Sequence, residues 1–236
     1  MNHIELMRSE LPEHETKLPS SKKAVKYRPF LVKEEKILLI AKQGKDKKEQ
    51  LTAIENIILS CCDIKNINTL PLVDVEHLFL ELRKKSIGEV VNLTFSCPHT
   101  REKISVKLDL GDIKLNSSKN KKKIELSPTK SIELKDYSFG DFKKSFGTIQ
   151  STFDEIGFLI SKLETPVESI DCKSLTKNQR VELVDNLLPS EYKNILKESN
   201  KISRYEHVLT YNVSSGEDKT LRIKGLFDFF CLPSAI

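Results

Sequence analysis

Residues 70–93 read LPLVDVEHLFLELRKKSIGEVVNL, and this run decides how the rest of the chain is read. Val75, Leu78, Phe79 and Leu82 recur at i, i+3, i+4 and i+7, the spacing of one face of an α-helix. Asp74 stands where an N-cap is expected, and Arg83, Lys84 and Lys85 fall at the C-terminal end, where the helix dipole favours cations. Gly88 lets the chain turn into EVVNLTF, in which Val91, Leu93 and Phe95 alternate. After CPHTRE, Ile104, Val106, Leu108 and Leu110 alternate again, so the pair reads as a β-hairpin. A helix that feeds directly into a hairpin can bury a shared apolar face. The fold class is therefore α+β.

Upstream, residues 1–16 are polar and interrupted by Pro12, which predicts a flexible arm; the same character extends to residue 22. AVKYRPF offers a short edge strand at most, because Pro29 stops any ladder. LVKEEKILLIAKQG reads as a helix ending at Gly44, with a strand through Ile37 to Ile40 as the alternative. Asp46 and Glu49 have capping-box form ahead of Leu51, Ile54, Ile58 and Cys61, which share one helical face.

Downstream, residues 114–131 hold Lys119 and Lys121 to Lys123 among Asn and Ser, the composition of a basic loop or linker. Beyond it Phe142, Phe146, Ile149, Phe153, Ile156, Ile160 and Leu163 alternate spacings of four and three, a heptad-like stripe. Thr152 with Glu155 allows an internal capping box, so one long helix and two consecutive ones are both open. Thr176 with Gln179 starts another helix, Pro189 stops it, and Ser190 can cap a short one. YEHVLTYNV and TLRIKGLF then flank SSGEDK as a second hairpin, before the apolar tail FDFFCLPSAI. The expected organisation is an arm (1–16), an N-terminal α+β lobe (17–113), the basic loop (114–131) and a mainly helical lobe ending in a hairpin (132–236).

The totals narrow the function classes. Of 236 residues, 39 are basic and 34 acidic, so the net charge of +5 matters less than its distribution. Residues 1–50 carry 12 basic and 8 acidic groups, whereas residues 151–200 carry 6 and 9, a separation that suits docking onto other proteins. Five cysteines at irregular spacing, no signal-peptide pattern and no membrane-length apolar run predict free thiols in a reducing compartment. Phosphate-loop, dinucleotide, zinc-protease and serine-hydrolase motifs are all missing from the sequence, and glycine is scarce at eight residues. Acidic pairs such as Glu34–Glu35 and Asp154–Glu155 read as surface charge, and His77 and His207 as structural histidines. Cys61, Cys62, Cys97 and His99 form the best metal candidate, but small buried thiols and a turn proline explain them more simply. The lysine clusters, including Lys22, Lys23, Lys26 and Arg28 with Tyr27 and Phe30 as stacking partners, motivate nucleic-acid binding as the alternative function.

Three blocks carry a resemblance: KLPSSKKAVKYRPFLVKEEKILLIA (17–41), LPLVDVEHLFLELRKKSIGEVVNL (70–93) and GLFDFF (225–230). They resemble the baseplate hub and hub-assembly proteins of T-even-type contractile-tailed bacteriophages, most strongly over residues 17–110 and again near the C-terminus. The resemblance implies a non-enzymatic structural or assembly role, carried by contacts with other hub and tail proteins. It implies no cofactor and no small-molecule substrate. Residence is expected in the host cytoplasm during assembly, with the virion baseplate as the second location. It also implies a Cys-Pro-x-Cys turn, where this chain has Cys97-Pro98-His99-Thr100 and so lacks the second thiol. The candidate partner-contact residues are Tyr27, Arg28, Phe30, Arg83, Lys84, Lys85, Phe229 and Phe230.

Overall fold

The computed structural model describes residues 11–44, 46–116, 123–145 and 151–232. In chain order the elements begin β1 (His14–Lys17), β2 (Ala24–Tyr27), α1 (Val32–Gly44), α2 (Lys47–Cys61), α3 (Leu72–Ser86), β3 (Val90–Ser96), β4 (Lys103–Asp109) and β5 (Lys114–Asn116). They continue as β6 (Lys123–Ser127), β7 (Lys130–Leu134), α4 (Phe139–Ser145), α5 (Thr152–Leu159), β8 (Ile160–Glu164) and β9 (Ser169–Asp171). The last are α6 (Lys177–Asp185), α7 (Pro189–Ser199), β10 (Arg204–Asn212), β11 (Asp218–Lys224) and α8 (Gly225–Cys231). This is a mixed α/β chain in which every sheet is small and antiparallel. Two compact units divide it: Met1–Asn116 with Arg204–Ile236, and Ser117–Ser203.

In the first unit the opening stretch folds as its periodicity predicts. Val75, Leu78, Phe79 and Leu82 of α3 are fully buried, and β3 pairs with β4 in the register Val91↔Leu108, Leu93↔Val106, Phe95↔Ile104. Asp74 does not cap the helix; Pro71 occupies that position, and the Asp74 carboxylate accepts from Ser20 N at 2.9 Å and Ser20 Oγ at 2.5 Å. This contact and the pairing of His14–Lys17 with β2 mean that the expected flexible arm gives way to ordered structure from His14 onward. Residues 1–10 lie outside the described residues. α2 starts at Asp46, which caps through Lys48 N rather than through Glu49.

The second hairpin forms where expected, β10 against β11, but it belongs to the first unit rather than to the lobe expected over 132–236. Two contacts explain this. β10 also pairs with β5 (Arg204↔Asn116, Tyr205↔Leu115, Glu206↔Lys114), and α8 packs on α3, where Phe230 stacks 6.4 Å from Phe79. Gly225, at φ +75°, makes the junction between β11 and α8 in a backbone region that other residues rarely adopt. A Cβ there would stand 3.6 Å from Glu76 Oε1. A small satellite cluster forms where Tyr211 meets the β3–β4 hairpin edge-on at Phe95, 5.1 Å away, above buried Cys97.

The second unit is less helical than the sequence implies. β6, β7, β8 and β9 form a four-stranded meander, so part of the expected basic linker is strand; residues 117–122 lie outside the described residues. The heptad-like stripe breaks up. Phe142 lies on α4 and Phe153 and Ile156 on α5, but Ile160 and Leu163 are in β8, where Leu163 pairs with Ile132. Phe146 and Ile149 fall outside the described residues. The capping box uses Ser151 with Asp154, not Thr152 with Glu155: Ser151 Oγ accepts from Asp154 N at 3.2 Å, and the Asp154 carboxylate accepts from Ser151 N at 3.1 Å. The Thr176–Gln179 box that starts α6 is present as expected. α7 takes Leu188 rather than Ser190 at its cap, where Leu188 N donates to the Glu191 carboxylate at 2.8 Å.

Gly157 lets α5 and α6 approach. A Cβ there would lie 2.9 Å from the Arg180 carbonyl oxygen and 3.2 Å from Val184 Cγ2. Gly157→Ala is therefore expected to destabilise the protein by about 1–3 kcal/mol through overpacking, read as a lowered thermal midpoint. An unchanged midpoint would show that the two helices slide apart at no cost.

Candidate interaction surface

The three quoted blocks, distant in sequence, converge in the first unit. α3 supplies Arg83, which is almost completely buried and donates through Nη2 to the Leu232 carbonyl at 3.1 Å. Lys42 of α1 donates to the neighbouring Cys231 carbonyl at 2.9 Å. Two cations thus satisfy the carbonyls that the end of α8 leaves without helical partners, where the dipole is negative. Burial pushes the Arg83 guanidinium down to about 10, against the opposing pull of Glu35, so it remains protonated near neutrality.

α3 is also the support for the N-terminal hairpin. His77 lies between Thr16 Oγ1 (2.7 Å from Nε2) and Tyr205 OH (2.8 Å from Nδ1), and burial lowers its pKa. Tyr27 OH donates to the Glu81 carboxylate at 3.3 Å, and burial, followed by Glu81, raises the phenol to about 12. Glu76 is buried and accepts from Tyr205 N at 3.1 Å. Burial raises its carboxyl to about 7, against the Tyr205 hydrogen bond and the charge of Arg204.

α1 inverts the usual burial pattern. Glu34 and Glu35, read from the sequence as solvated surface charge, are only 3% and 8% exposed. Val32, Ile37 and Ile40 are instead 59%, 42% and 69% exposed. Glu34 is turned inward by its partners: it accepts from Leu31 N at 2.7 Å and from Arg28 Nη2 at 3.1 Å. Burial pushes its carboxyl up, but these hydrogen bonds outweigh that and hold it below its ordinary value. With the inner face committed to carboxylates, Leu38 and Ala41, and with Leu39 half-buried, Val32, Ile37 and Ile40 occupy the outward arc beside Lys33, Lys36 and Gln43. Pattern reasoning missed this surface because a run of apolar residues in a helix is normally assigned to the core.

The expected contact residues divide by exposure. Tyr27, Phe30, Arg83, Phe229 and Phe230 are buried within the chain, so they hold the scaffold and are not accessible to a partner. Burial equally removes Tyr27 and Phe30 as platforms for nucleic-acid bases. Arg28, Lys84 and Lys85 keep partial exposure, although Arg28 pairs with Glu34, Lys84 with Glu81 at 2.5 Å, and Lys85 with Glu89 at 3.5 Å. Cys61 and Cys62 end α2, while Cys97 meets Tyr211 OH at 3.3 Å on the hairpin. Among the described residues no three His, Cys, Asp or Glu side chains are placed to hold a metal ion, and no helix is long and apolar enough to cross a membrane.

A mosaic of small antiparallel sheets and short helices, with an aliphatic surface on α1, places the chain among mixed α/β proteins with a candidate docking face. A family model described as T4 bacteriophage base plate protein matches residues 11–231, and the chain belongs to that family of phage baseplate structural proteins. No curated protein and no solved structure matches it significantly.

Proposed function

We propose that this chain is a structural or assembly component of the baseplate hub, working through protein–protein contacts and without catalysis. The observation that carries the reading is the inversion of α1. Exposing Val32, Ile37 and Ile40 forgoes about 1.5–3 kcal/mol of burial for each side chain that a partner could cover fully. A face that a partner covers recovers that free energy on assembly. Its neighbours would be other hub and tail proteins, with the exposed parts of Arg28, Lys84 and Lys85 as secondary contacts. Assembly would take place in the host cytoplasm, with the tail baseplate of the virion as the second location.

The Ile37→Asp/Ile40→Asp double variant is expected to lower co-purification with tail components from infected cells by at least about tenfold, since each half-covered aliphatic contributes on the order of 1 kcal/mol or more. Its unfolding midpoint should change less than its association, because Ile40 is 69% and Ile37 42% exposed before any partner binds. Wild-type association should survive high salt, as screening acts on charges and not on apolar contacts. Undiminished co-purification by the double variant would overturn the reading. Mass spectrometry of purified tails beside the infected-cell lysate decides between residence in the particle and a role confined to assembly.

A further inference from the structure

The second unit presents an apolar surface of its own. Phe153, in the first turn of α5, is 56% exposed, and Leu188, at the cap of α7, is 62% exposed. The Phe153 ring stacks on Tyr192 of α7, with centroids 4.8 Å apart and planes 20° from parallel, and more than half of its surface still stands in water. We propose that a second copy of this chain covers this patch with its α1 face, so that copies associate head to tail. The inference rests on the reading of α1 as a docking face and names one occupant for it.

Charge selects the occupant. The only carboxylates of α1, Glu34 and Glu35, are turned inward, and its outward arc carries Lys33 and Lys36 among Val32, Ile37 and Ile40. The Lys36 ammonium makes no hydrogen bond or ion pair among the described residues. Lys33 reaches Glu34 at 3.4 Å, but that carboxylate also binds Arg28, so two cations share one anion and the face stays positive. The patch on the second unit has the opposite sign. Burial first, and then the charge of Glu155, raise the Tyr192 phenol, which places that carboxylate beside the stacked pair. Asp185 stands three residues before Leu188, and Glu182 three earlier again on α6, the helix that α5 meets at Gly157. None of these three carboxylates makes an ion pair or side-chain hydrogen bond among the described residues. Against them, Lys193 is the cation in the first half of α7.

Pairing like faces would set like charges together. α1 against α1 across a two-fold axis brings Lys33 and Lys36 onto their own copies, and patch against patch does the same with Glu155 and Asp185. Such juxtapositions cost affinity and suppress the pairing. α1 against the patch instead brings lysines to carboxylates. It also covers three aliphatic side chains with an aromatic ring and a leucine, the kind of contact that fills interface cores. A contact between unlike surfaces leaves one face free at each end of a pair, so growth continues until a ring closes or a filament forms.

Sedimentation velocity of the full chain over roughly 1–100 μM, a range that resolves micromolar affinity, tests this. Wild-type protein should self-associate as its concentration rises. Ile40→Asp and Phe153→Asp should each weaken that association by at least about tenfold. The aspartate at position 153 falls in the first turn of α5, where the helix dipole favours an anion, so circular dichroism should show both variants folded. An equimolar mixture of the two should form a dimer and stop there, because the intact patch of one variant meets the intact α1 face of the other. Monomeric wild-type protein throughout that range, self-association of Phe153→Asp equal to wild type, or a mixture that stays monomeric would each overturn the inference. The α1 reading itself is judged by tail co-purification of Ile37→Asp/Ile40→Asp. A loss there alongside monomeric wild-type protein removes the head-to-tail contact and keeps the docking face.

Discussion

Arg83→Ala is expected to lower the unfolding free energy by about 3–5 kcal/mol, the range for breaking a buried charge arrangement by removing one member. Arg83 is 1% exposed, and its loss strips the Leu232 carbonyl of a charged donor. It also leaves the Glu35 carboxylate in the same interior without the positive charge that faces it; Glu35 Oε1 has no hydrogen-bond partner among the described residues. The effect should depend on the charge left behind rather than on lost packing alone. Arg83→Met combined with Glu35→Met should therefore recover most of the stability, because replacing a buried charge pair by apolar groups of similar volume is often neutral. Urea unfolding followed by circular dichroism measures both. A loss below about 1 kcal/mol for Arg83→Ala would mean that water reaches the site.

The second large effect depends on pH. Burial raises the Glu76 carboxyl from its ordinary value to about 7 in the folded state. Between the unfolded value and about 7, the folded protein holds a proton that the unfolded chain has released. Stability therefore falls as pH rises through that window and is flat above it. A difference of roughly two to three pKa units corresponds to about 3 kcal/mol, present in full at about pH 8. Glu76→Gln keeps an acceptor for Tyr205 N and cannot ionise, so it should be more stable than wild type by up to that amount at about pH 8 and nearly equal to it at about pH 4. Equal stability of the two proteins at the higher pH would remove burial as the governing cause.

Local rules carried the reading wherever a segment's fate depended on its own neighbours. The 3.6-residue period of Val75, Leu78, Phe79 and Leu82 and the two-residue period of Leu93, Phe95, Ile104 and Val106 describe real elements, because each pattern has one face to bury. The Thr176–Gln179 box succeeds for the same reason: its partners are three residues apart. The stripe from Phe142 to Leu163 failed because spacing cannot tell a helix from a helix followed by a strand when the strand's partner, β7, is about thirty residues upstream. The candidate surface was the least legible feature. Glu34 and Glu35 look solvated until Arg28 is folded against one and Arg83 is brought near the other, and only then are Ile37 and Ile40 displaced outward.

By itself the amino-acid order determined the mixed class of the fold, the opening helix, both hairpins and the membership of a baseplate family, whose model matches residues 11–231. Those properties rest on short-range periodicity and on identity at fixed spacings. Tertiary structure alone decided that the C-terminal hairpin returns to the first unit, which glutamates are buried and which isoleucines face water. Each of these outcomes depends on long-range contacts, such as β5 with β10 and Arg83 with the carbonyl of Leu232, for which the chain carries no local mark.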